Sequence, residues 1–173
     1  MPVLYSIGHS TRAEDDFVTL LAAYGVGGVA DVRTIPRSRR HPQFGAERLR
    51  ERLERDGIEY RHIPGLGGLR RPRPDSPNGA WTNLAFRAYA DHMETQEFAA
   101  GLEALLSLAA ERVVAFMCAE ALWWRCHRRL VADALLARDA HVRHILSRTE
   151  APPHELPPFA RLIGGRVAYA GLF

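Results

Sequence analysis

The feature of this chain that most constrains its fold is a series of short apolar segments separated by segments of helical periodicity. Residues 26–32 and 113–117 are almost wholly apolar, which is typical of strands covered on both faces. Residues 58–63 alternate between apolar and polar side chains, and the weaker alternation at 141–146 favours an edge strand. Together with residues 3–7, these segments predict an α/β fold, with a largely parallel sheet of about five strands flanked by helices.

The segments between these strands predict the helices. A first helix is expected after Thr11, because Thr11 and Glu14 have the spacing of a capping box. Apolar residues at helical intervals predict further helices at 47–56, 84–93, 97–109 and 122–138, with a short helix near Phe159 and a final strand at 167–169.

A chain of 173 residues is expected to form one domain, here a single α/β domain over residues 1–173. Residues 64–80 hold four prolines and four glycines, which predicts a loop without regular structure. A loop of that length in a compact domain is usually functional or mobile. An irregular tail is expected from about residue 147.

The sequence favours a cytoplasmic protein with no membrane partner. Its first residues lack the basic segment of a signal peptide, and no stretch reaches the ~18 apolar residues of a membrane span. The two cysteines, Cys118 and Cys126, do not make a disulfide framework, which favours a reducing compartment.

All 23 basic residues are arginine, so chemistry that needs a lysine, such as a Schiff base or a P-loop, is excluded. The net charge is +3, yet residues 33–73 carry twelve arginines against five acidic residues, a local charge of +7. Arginines crowd two predicted loops, at 37–40 and 70–73. This asymmetry indicates a basic face for an anionic partner, such as a nucleotide or nucleic acid, or a merely soluble surface.

Polar residues follow the predicted strands where the strands end. Parallel strands present their carboxyl ends at one edge of the sheet, and ligands bind beyond that edge. The polar residues brought together there are His9, Ser10, Thr11, Asp31, Arg33, His62, Cys118 and Glu120. We interpret this edge as the candidate site, with Cys118, Glu120, Asp31 and His9 as candidate catalytic residues. The candidate residues for binding an anionic substrate are Ser10, Arg33, Arg37, Arg39, His62 and Arg125.

Cys118 is the candidate nucleophile because it lies between a predicted strand and a helix, where the helix dipole and arginines lower a thiol pKa. The alternative is a buried, inert cysteine. Glu120 is either a helix cap or an acid/base. Cys126 and His127 are not expected to face the same way on the predicted helix. The sequence requires no cofactor; if a metal is bound, zinc on Cys118 and Cys126 is the option, although their separation lacks the usual close spacing.

Several short motifs together resemble a family known as domain of unknown function 488, which is found in bacteria. The resemblance covers most of the chain and rests on residues 6–11, 31–33, 36–39, 64–68, 118–120 and 126–128. It implies a small α/β protein and no particular activity.

A weaker likeness is to rhodanese and phosphatase-like domains. In those folds one strand ends in Asp-x-Arg and a later strand delivers a cysteine into an anion-binding loop, as residues 31–33 and 114–118 do here in the same order. The loop after Cys118 differs from theirs, because it carries the anionic Glu120 and places Arg125 one residue late.

The sequence therefore favours an enzyme, of undetermined reaction class, that acts on a phosphate-bearing substrate at the carboxyl edge of the sheet. The substrate is expected to be a nucleotide or a nucleic-acid component, with Cys118 as the candidate nucleophile. Two alternatives remain open. One is a non-catalytic nucleic-acid-binding module, and the other is a sulfur transferase or phosphatase-like enzyme that works through Cys118. Protein partners and the oligomeric state are left open.

Overall fold

A five-stranded sheet, in which every neighbouring pair of strands is parallel, lies at the centre of the computed structural model, which describes residues 2–169. The strands are β1 (Val3–Gly8), β2 (Gly28–Asp31), β3 (Glu59–His62), β4 (Val114–Cys118) and β5 (His141–His144). Their order across the sheet is β3-β2-β4-β1-β5. The predicted α/β fold with a largely parallel sheet is confirmed, including the edge position of the fifth strand.

Helices cover both faces of the sheet within residues 2–169. They are α1 (Glu14–Ala23), α2 (Ala46–Arg55), α3 (Leu84–His92), α4 (Gln96–Glu111) and α5 (Arg128–Leu136). Successive side chains of a strand point to opposite faces, so Met117 packs with Phe17 and Leu49 on one face, whereas Phe116 packs with Leu105 on the other. No helix in this part of the chain is long and apolar enough to cross a membrane.

The predicted helix at 122–138 is wrong in its first part. A short 3-10 turn spans Trp123–Arg125, and α5 begins only at Arg128. Cys126 and His127 therefore precede the helix instead of lying on it. The expectation that these two side chains diverge is also wrong, because Cys126 Sγ lies 3.4 Å from His127 Nδ1.

Two smaller predictions are corrected as well. The capping box does not form, because α1 begins at Glu14 with Ala13 in the capping position instead of Thr11. The helix expected near Phe159 is a turn, closed by a hydrogen bond from Ala160 N to Pro157 O at 3.0 Å. An antiparallel hairpin follows it, made of β6 (Arg161–Ile163) and β7 (Arg166–Ala168).

The tail is more ordered than an irregular segment. Residues 152–154 run along β5, with His144 N donating to Pro152 O at 2.9 Å and His154 N donating to Val142 O at 2.8 Å. The tail thereby covers the β5 edge of the sheet, which would otherwise present unpaired backbone groups. The single-domain boundary at 1–173 stays a prediction.

The loop at 64–80 contains a short 3-10 turn at Pro64–Leu66 and is otherwise irregular, as predicted. Its second half is held on α3, because the Asp91 carboxylate accepts hydrogen bonds from Arg73 N, Ser76 Oγ and Asn78 Nδ2. Its first half packs on the carboxyl edge of the sheet. A Cβ on Gly68 would lie only 2.5 Å from His127 Nδ1, so glycine lets the loop lie directly against that ring.

Candidate functional site

An open cleft of about 340 Å³ lies at the carboxyl ends of β1 and β4. Three segments line it: residues 9–11 after β1, residues 38–41 in the basic loop, and residues 119–121 after β4. We call it the rim cleft. Of the predicted site residues, it brings together His9, Ser10, Arg39 and Glu120.

The end of β1 is fixed tightly against the segment after β4. His9 N donates to Cys118 O and Ser10 N donates to Ala119 O, each at 3.0 Å. Gly8 is required by this close approach, because a Cβ there would overlap the carbonyl oxygen of Glu120. The two sides of the cleft that carry His9 and Glu120 are therefore held rigidly together.

His9 is 3 % exposed and stacks on the Phe44 ring, with ring centroids 4.4 Å apart. Its Nδ1 donates to the Ser10 carbonyl at 2.9 Å, which leaves Nε2 as the lone-pair nitrogen of a neutral ring. Burial lowers the pKa of His9 from 6.5 to about 4, so the ring is neutral near pH 7. Nε2 is buried and has no hydrogen-bond partner among residues 2–169.

Asp31 and Arg33 form a buried ion pair at the end of β2. Arg33 Nε donates to Asp31 Oδ1 at 2.9 Å and Arg33 Nη2 donates to Asp31 Oδ2 at 2.6 Å, while the Tyr60 hydroxyl donates to Oδ2. Burial and the neighbouring Asp31 raise the pKa of Tyr60. Both carboxylate oxygens already accept hydrogen bonds, so Asp31 fixes the position of the Arg33 side chain. Arg33 Nη1 is buried and unpartnered within the described chain.

The remaining predicted residues lie in different places. His62 Nε2 donates to the Arg33 carbonyl at 2.7 Å and so supports the backbone after β2. Arg37 and Arg125 are exposed and lie outside the lining of the rim cleft. Arg40 and His41 do line the cleft, and the crowding of basic residues at 37–41 is the sequence signal that pointed to them.

The two cysteines meet directly beneath the cleft. Cys118 Sγ and Cys126 Sγ are 2.7 Å apart, and the residues are 2 % and 7 % exposed. Burial and the hydrogen bond to Cys126 raise the pKa of Cys118 well above its ordinary value. Burial opposes ionisation of Cys126, but the hydrogen bond from Cys118 and the charge of Arg128 lower its pKa to about 7. The more acidic thiol is thus Cys126, whereas the sequence pointed to Cys118.

Arg128 is a central residue of this region that sequence reasoning passed over. It is 1 % exposed, and its Nη2 donates to the Glu120 carbonyl at 2.6 Å. Its backbone N–H donates to Cys126 Sγ at 3.4 Å, and its Nη1 donates to Ser6 Oγ at 3.2 Å. The motif at 126–128 was the available signal. A pair of arginines at the start of a helix otherwise suggests a solvated surface.

A buried chain of hydrogen bonds runs from Arg128 away from the cleft. The β1–β5 register sets Ser6 opposite His144. Ser6 Oγ donates to His144 Nδ1 at 2.5 Å, His144 Nε2 to His154 Nδ1 at 2.9 Å, and His154 Nε2 to Asp133 Oδ1 at 2.6 Å. Tyr169 donates to Asp133 Oδ2. We call these five residues, Ser6, His144, His154, Asp133 and Tyr169, the buried relay. The donor directions follow from the Asp133 carboxylate, which is able only to accept, for rings that each carry one proton.

Among residues 2–169, no group of three or more histidine, cysteine and acidic side chains is placed to hold a metal ion. Cys118 and Cys126, the pair considered for zinc, have His127 as a close neighbour, with its Nδ1 3.4 Å from Cys126 Sγ, but the three are not such a group.

The fold and the cleft define the class: an α/β protein with a parallel sheet and a polar cleft at its carboxyl edge. The model of the family described as Domain of unknown function DUF488 matches residues 14–135, and the chain belongs to this family. The motif at 6–11, which contains His9, precedes the matched range. No curated protein and no solved structure matches the chain. The likeness to rhodanese and phosphatase-like domains stays a prediction.

Proposed function

We propose that this protein is an enzyme that acts on a phosphate-bearing substrate in the rim cleft, with His9 as the group that accepts a proton. The observation that carries the proposal is the neutral His9 ring, whose Nε2 lone pair lacks a partner within residues 2–169, at a cleft lined by basic and hydroxyl side chains. Buried polar atoms are nearly always hydrogen-bonded, so such an atom at a cleft favours a role towards a ligand.

The basic loop supplies the attraction for phosphate. Arg39 and Arg40 are exposed side chains at the cleft, and a guanidinium donates two parallel hydrogen bonds to phosphate oxygens. The hydroxyls of Ser10, Thr11 and Ser38 line the same cleft and add neutral donors. Glu120, in the segment after β4, also lines the cleft. We assign it to the end of the substrate away from the phosphate, because two anions repel each other.

His9 is assigned the role of general base. Its low pKa makes it a weak base in the free protein, but a bound phosphate would stabilise the imidazolium and raise that pKa towards neutral. The ring would then take a proton from an attacking water or hydroxyl group. Arg33, held by Asp31, offers its Nη1 donor at the same edge of the sheet, because that atom is unpartnered in the part of the chain described.

This proposal does not use Cys118 as the nucleophile. A covalent route needs a thiolate, whereas burial and the hydrogen bond to Cys126 raise the pKa of Cys118 well above its ordinary value and so keep it a thiol. The nucleic-acid-binding alternative rests on the arginines at 70–73. It is favoured less, because Arg70 donates to the Pro64 and Gly67 carbonyls and Arg73 lies 3.5 Å from Glu94.

The test is a binding measurement with inorganic phosphate, a nucleoside monophosphate and a single-stranded oligonucleotide. The double variant Arg39→Ala/Arg40→Ala is expected to bind the phosphate-bearing ligand about tenfold more weakly, because two charge-assisted contacts are lost. Arg55→Ala is the matched control, since Arg55 is an exposed arginine on α2 outside the cleft lining. Equal losses in both variants would contradict a specific cleft. Binding of the oligonucleotide alone, with a steep salt dependence, would favour the nucleic-acid module.

Catalysis is tested by turnover of phosphate esters with wild-type protein and the variants His9→Gln and Cys118→Ser. Removal of a general base is expected to lower the rate by about a hundredfold or more, whereas Cys118→Ser is expected to retain activity. Full activity of His9→Gln would exclude the proposed role of His9, and loss of activity in Cys118→Ser alone would restore the covalent alternative.

A further inference from the structure

We propose that Cys118 and Cys126 form a redox-active dithiol, which hydrogen peroxide oxidises to an intramolecular disulfide and which a dithiol reductant restores. The inference concerns the thiol pair beneath the rim cleft and does not depend on phosphate binding there.

The placement of the two sulfur atoms carries the inference. Cys118 Sγ and Cys126 Sγ lie 2.7 Å apart as free thiols, and a disulfide bond is about 2.05 Å long, so bond formation requires only a small shift. The chain between them allows that shift, because residues 119–127 contain a single short 3-10 turn, Trp123–Arg125, and otherwise follow an irregular path.

The surroundings make one sulfur the nucleophile and the other the resolving thiol. Cys126 faces the backbone N–H of Arg128 at the start of α5 and lies near the Arg128 guanidinium, both of which stabilise a thiolate. Cys118 remains a thiol and donates to that thiolate. His127 Nε2 donates to the Val32 carbonyl, so the lone pair on its Nδ1, 3.4 Å from Cys126 Sγ, is placed to accept the proton that the Cys126 thiol releases.

The low exposure of the Cys126 sulfur favours a small oxidant. Cys126 is 7 % exposed and follows the exposed residues Trp124 and Arg125, whereas Gly68 of the loop lies against His127 on another side. Hydrogen peroxide is little larger than water and needs no docking surface. A protein disulfide would have to bring its sulfur atoms into line with a nearly buried thiolate.

The reaction proceeds in two balanced steps. The Cys126 thiolate attacks one oxygen of hydrogen peroxide, the O–O bond breaks, and Cys126 sulfenic acid and hydroxide form. The Cys118 sulfur then attacks the sulfenic sulfur; the S–S bond forms, and the oxygen leaves with the Cys118 proton as water. The two thiols lose two electrons, which reduce the peroxide. A dithiol reductant, such as dithiothreitol, returns both thiols and becomes a disulfide itself.

The test uses the chain as it stands, because Cys118 and Cys126 are its only cysteines. Protein exposed to peroxide is denatured, treated with an alkylating agent and weighed by mass spectrometry. The expected product is monomeric, carries no alkyl group and is lighter than the reduced protein by two hydrogen atoms; dithiothreitol restores two alkylation sites. Alkylation of both cysteines after peroxide treatment, or disulfide-linked dimers, would overturn the proposal.

Two single variants separate the roles. Cys118→Ser is expected to stop at Cys126 sulfenic acid, which dimedone traps, because the resolving thiol is gone. Cys126→Ser is expected to react with peroxide about tenfold more slowly than Cys118→Ser, since the remaining thiol is the less acidic one. Faster oxidation of Cys118 would reverse the assignment, and equal rates would contradict it. The wild-type measurement decides the disulfide itself, even where a variant folds poorly.

Discussion

The rim cleft and the buried relay are built from the same kinds of side chain but differ in how their polar atoms are satisfied. In the relay, both ring nitrogens of His144 and His154 and both oxygens of Asp133 have partners. At the carboxyl edge of the sheet, His9 Nε2 in the cleft lining and Arg33 Nη1 after β2 are buried without a partner among the residues described. The ring nitrogens and carboxylate oxygens of the relay are thus all hydrogen-bonded, whereas polar atoms of the same kinds of side chain at the carboxyl edge lack partners among the residues described.

Under the proposed function, the difference separates a cluster that serves stability from a cleft that serves a ligand. A buried polar atom left without a hydrogen bond costs about 1–3 kcal/mol. His9 and Arg33 bear this cost, and so does Arg128 through its Nε atom, whereas the five relay residues avoid it. Ser6, at the centre of β1, is fully buried, so its contact with His144 does not make it a nucleophile. The relay instead positions Arg128, which holds the Glu120 carbonyl at the cleft. Substitutions in the relay should therefore lower the free energy of unfolding, whereas substitutions at the cleft should mainly affect ligand binding.

The largest effect is expected from Asp133→Ala in the relay. It removes the acceptor of both Tyr169 and His154 and leaves two buried donors unsatisfied, at a cost of about 3 kcal/mol or more in the free energy of unfolding. Glu120→Ala at the cleft is the matched loss of a carboxylate and should cost less than about 0.5 kcal/mol, because Glu120 is exposed. Urea denaturation measures both, and equal costs would abolish the distinction between the regions.

The sequence predicted the location of the cleft better than the existence of the relay. Strand ends alone grouped His9 with Glu120, because β1 and β4 are parallel neighbours whose carboxyl ends meet. The relay joins Ser6 to His144 across 138 positions, and its hydrogen bonds depend on side-chain directions that hydrophobic periodicity does not encode.

The sequence paired Cys118 with Cys126 only as an option for zinc, and the direct contact of the two thiols was missed for a local reason. Periodicity extended α5 back to residue 122, which would have turned Cys126 away from His127. In the structure, the backbone N–H groups of Arg125 and Cys126 bond to the Leu122 and Trp123 carbonyls, and the helix proper starts at Arg128. The irregular turn that returns Cys126 to Cys118 depends on tertiary contacts, above all on the buried Arg128.

An effect of intermediate size on the free energy of unfolding is expected at acidic pH. Burial, with the neighbouring His154, lowers the pKa of His144 to about 2, so the folded protein keeps this ring neutral while the unfolded chain binds a proton below about pH 6.5. Its contribution to stability is complete above pH 6.5 and is lost as the pH falls, by about 2 kcal/mol at pH 5.

The variant His144→Gln isolates this contribution. It should be less stable at every pH, because the relay is broken, but its unfolding free energy should change less between neutral pH and about pH 5 than that of the wild type. His9→Gln is the comparison from the cleft: because the pKa of His9 is lowered to about 4, this variant should change the pH dependence about as much as His144→Gln down to pH 5, and less only below about pH 4. An unchanged pH dependence in His144→Gln would show that the relay histidine is not held neutral by burial.

The smallest effect, and the sharpest division between the regions, concerns the response of His9 to a ligand. The negative charge of phosphate at the cleft should raise the pKa of His9 from about 4 by about one unit. The pKa of His144 should not move, because both of its ring nitrogens already have hydrogen-bond partners in the relay. Ring-proton NMR titration with and without a nucleoside monophosphate measures both, and His9→Gln assigns the His9 signal among eight histidines. His41, which lines the cleft, reports binding through its chemical shift. Movement of the His41 signal with an unchanged His9 pKa would place the anion in the cleft but beyond reach of His9, and would remove His9 as the base.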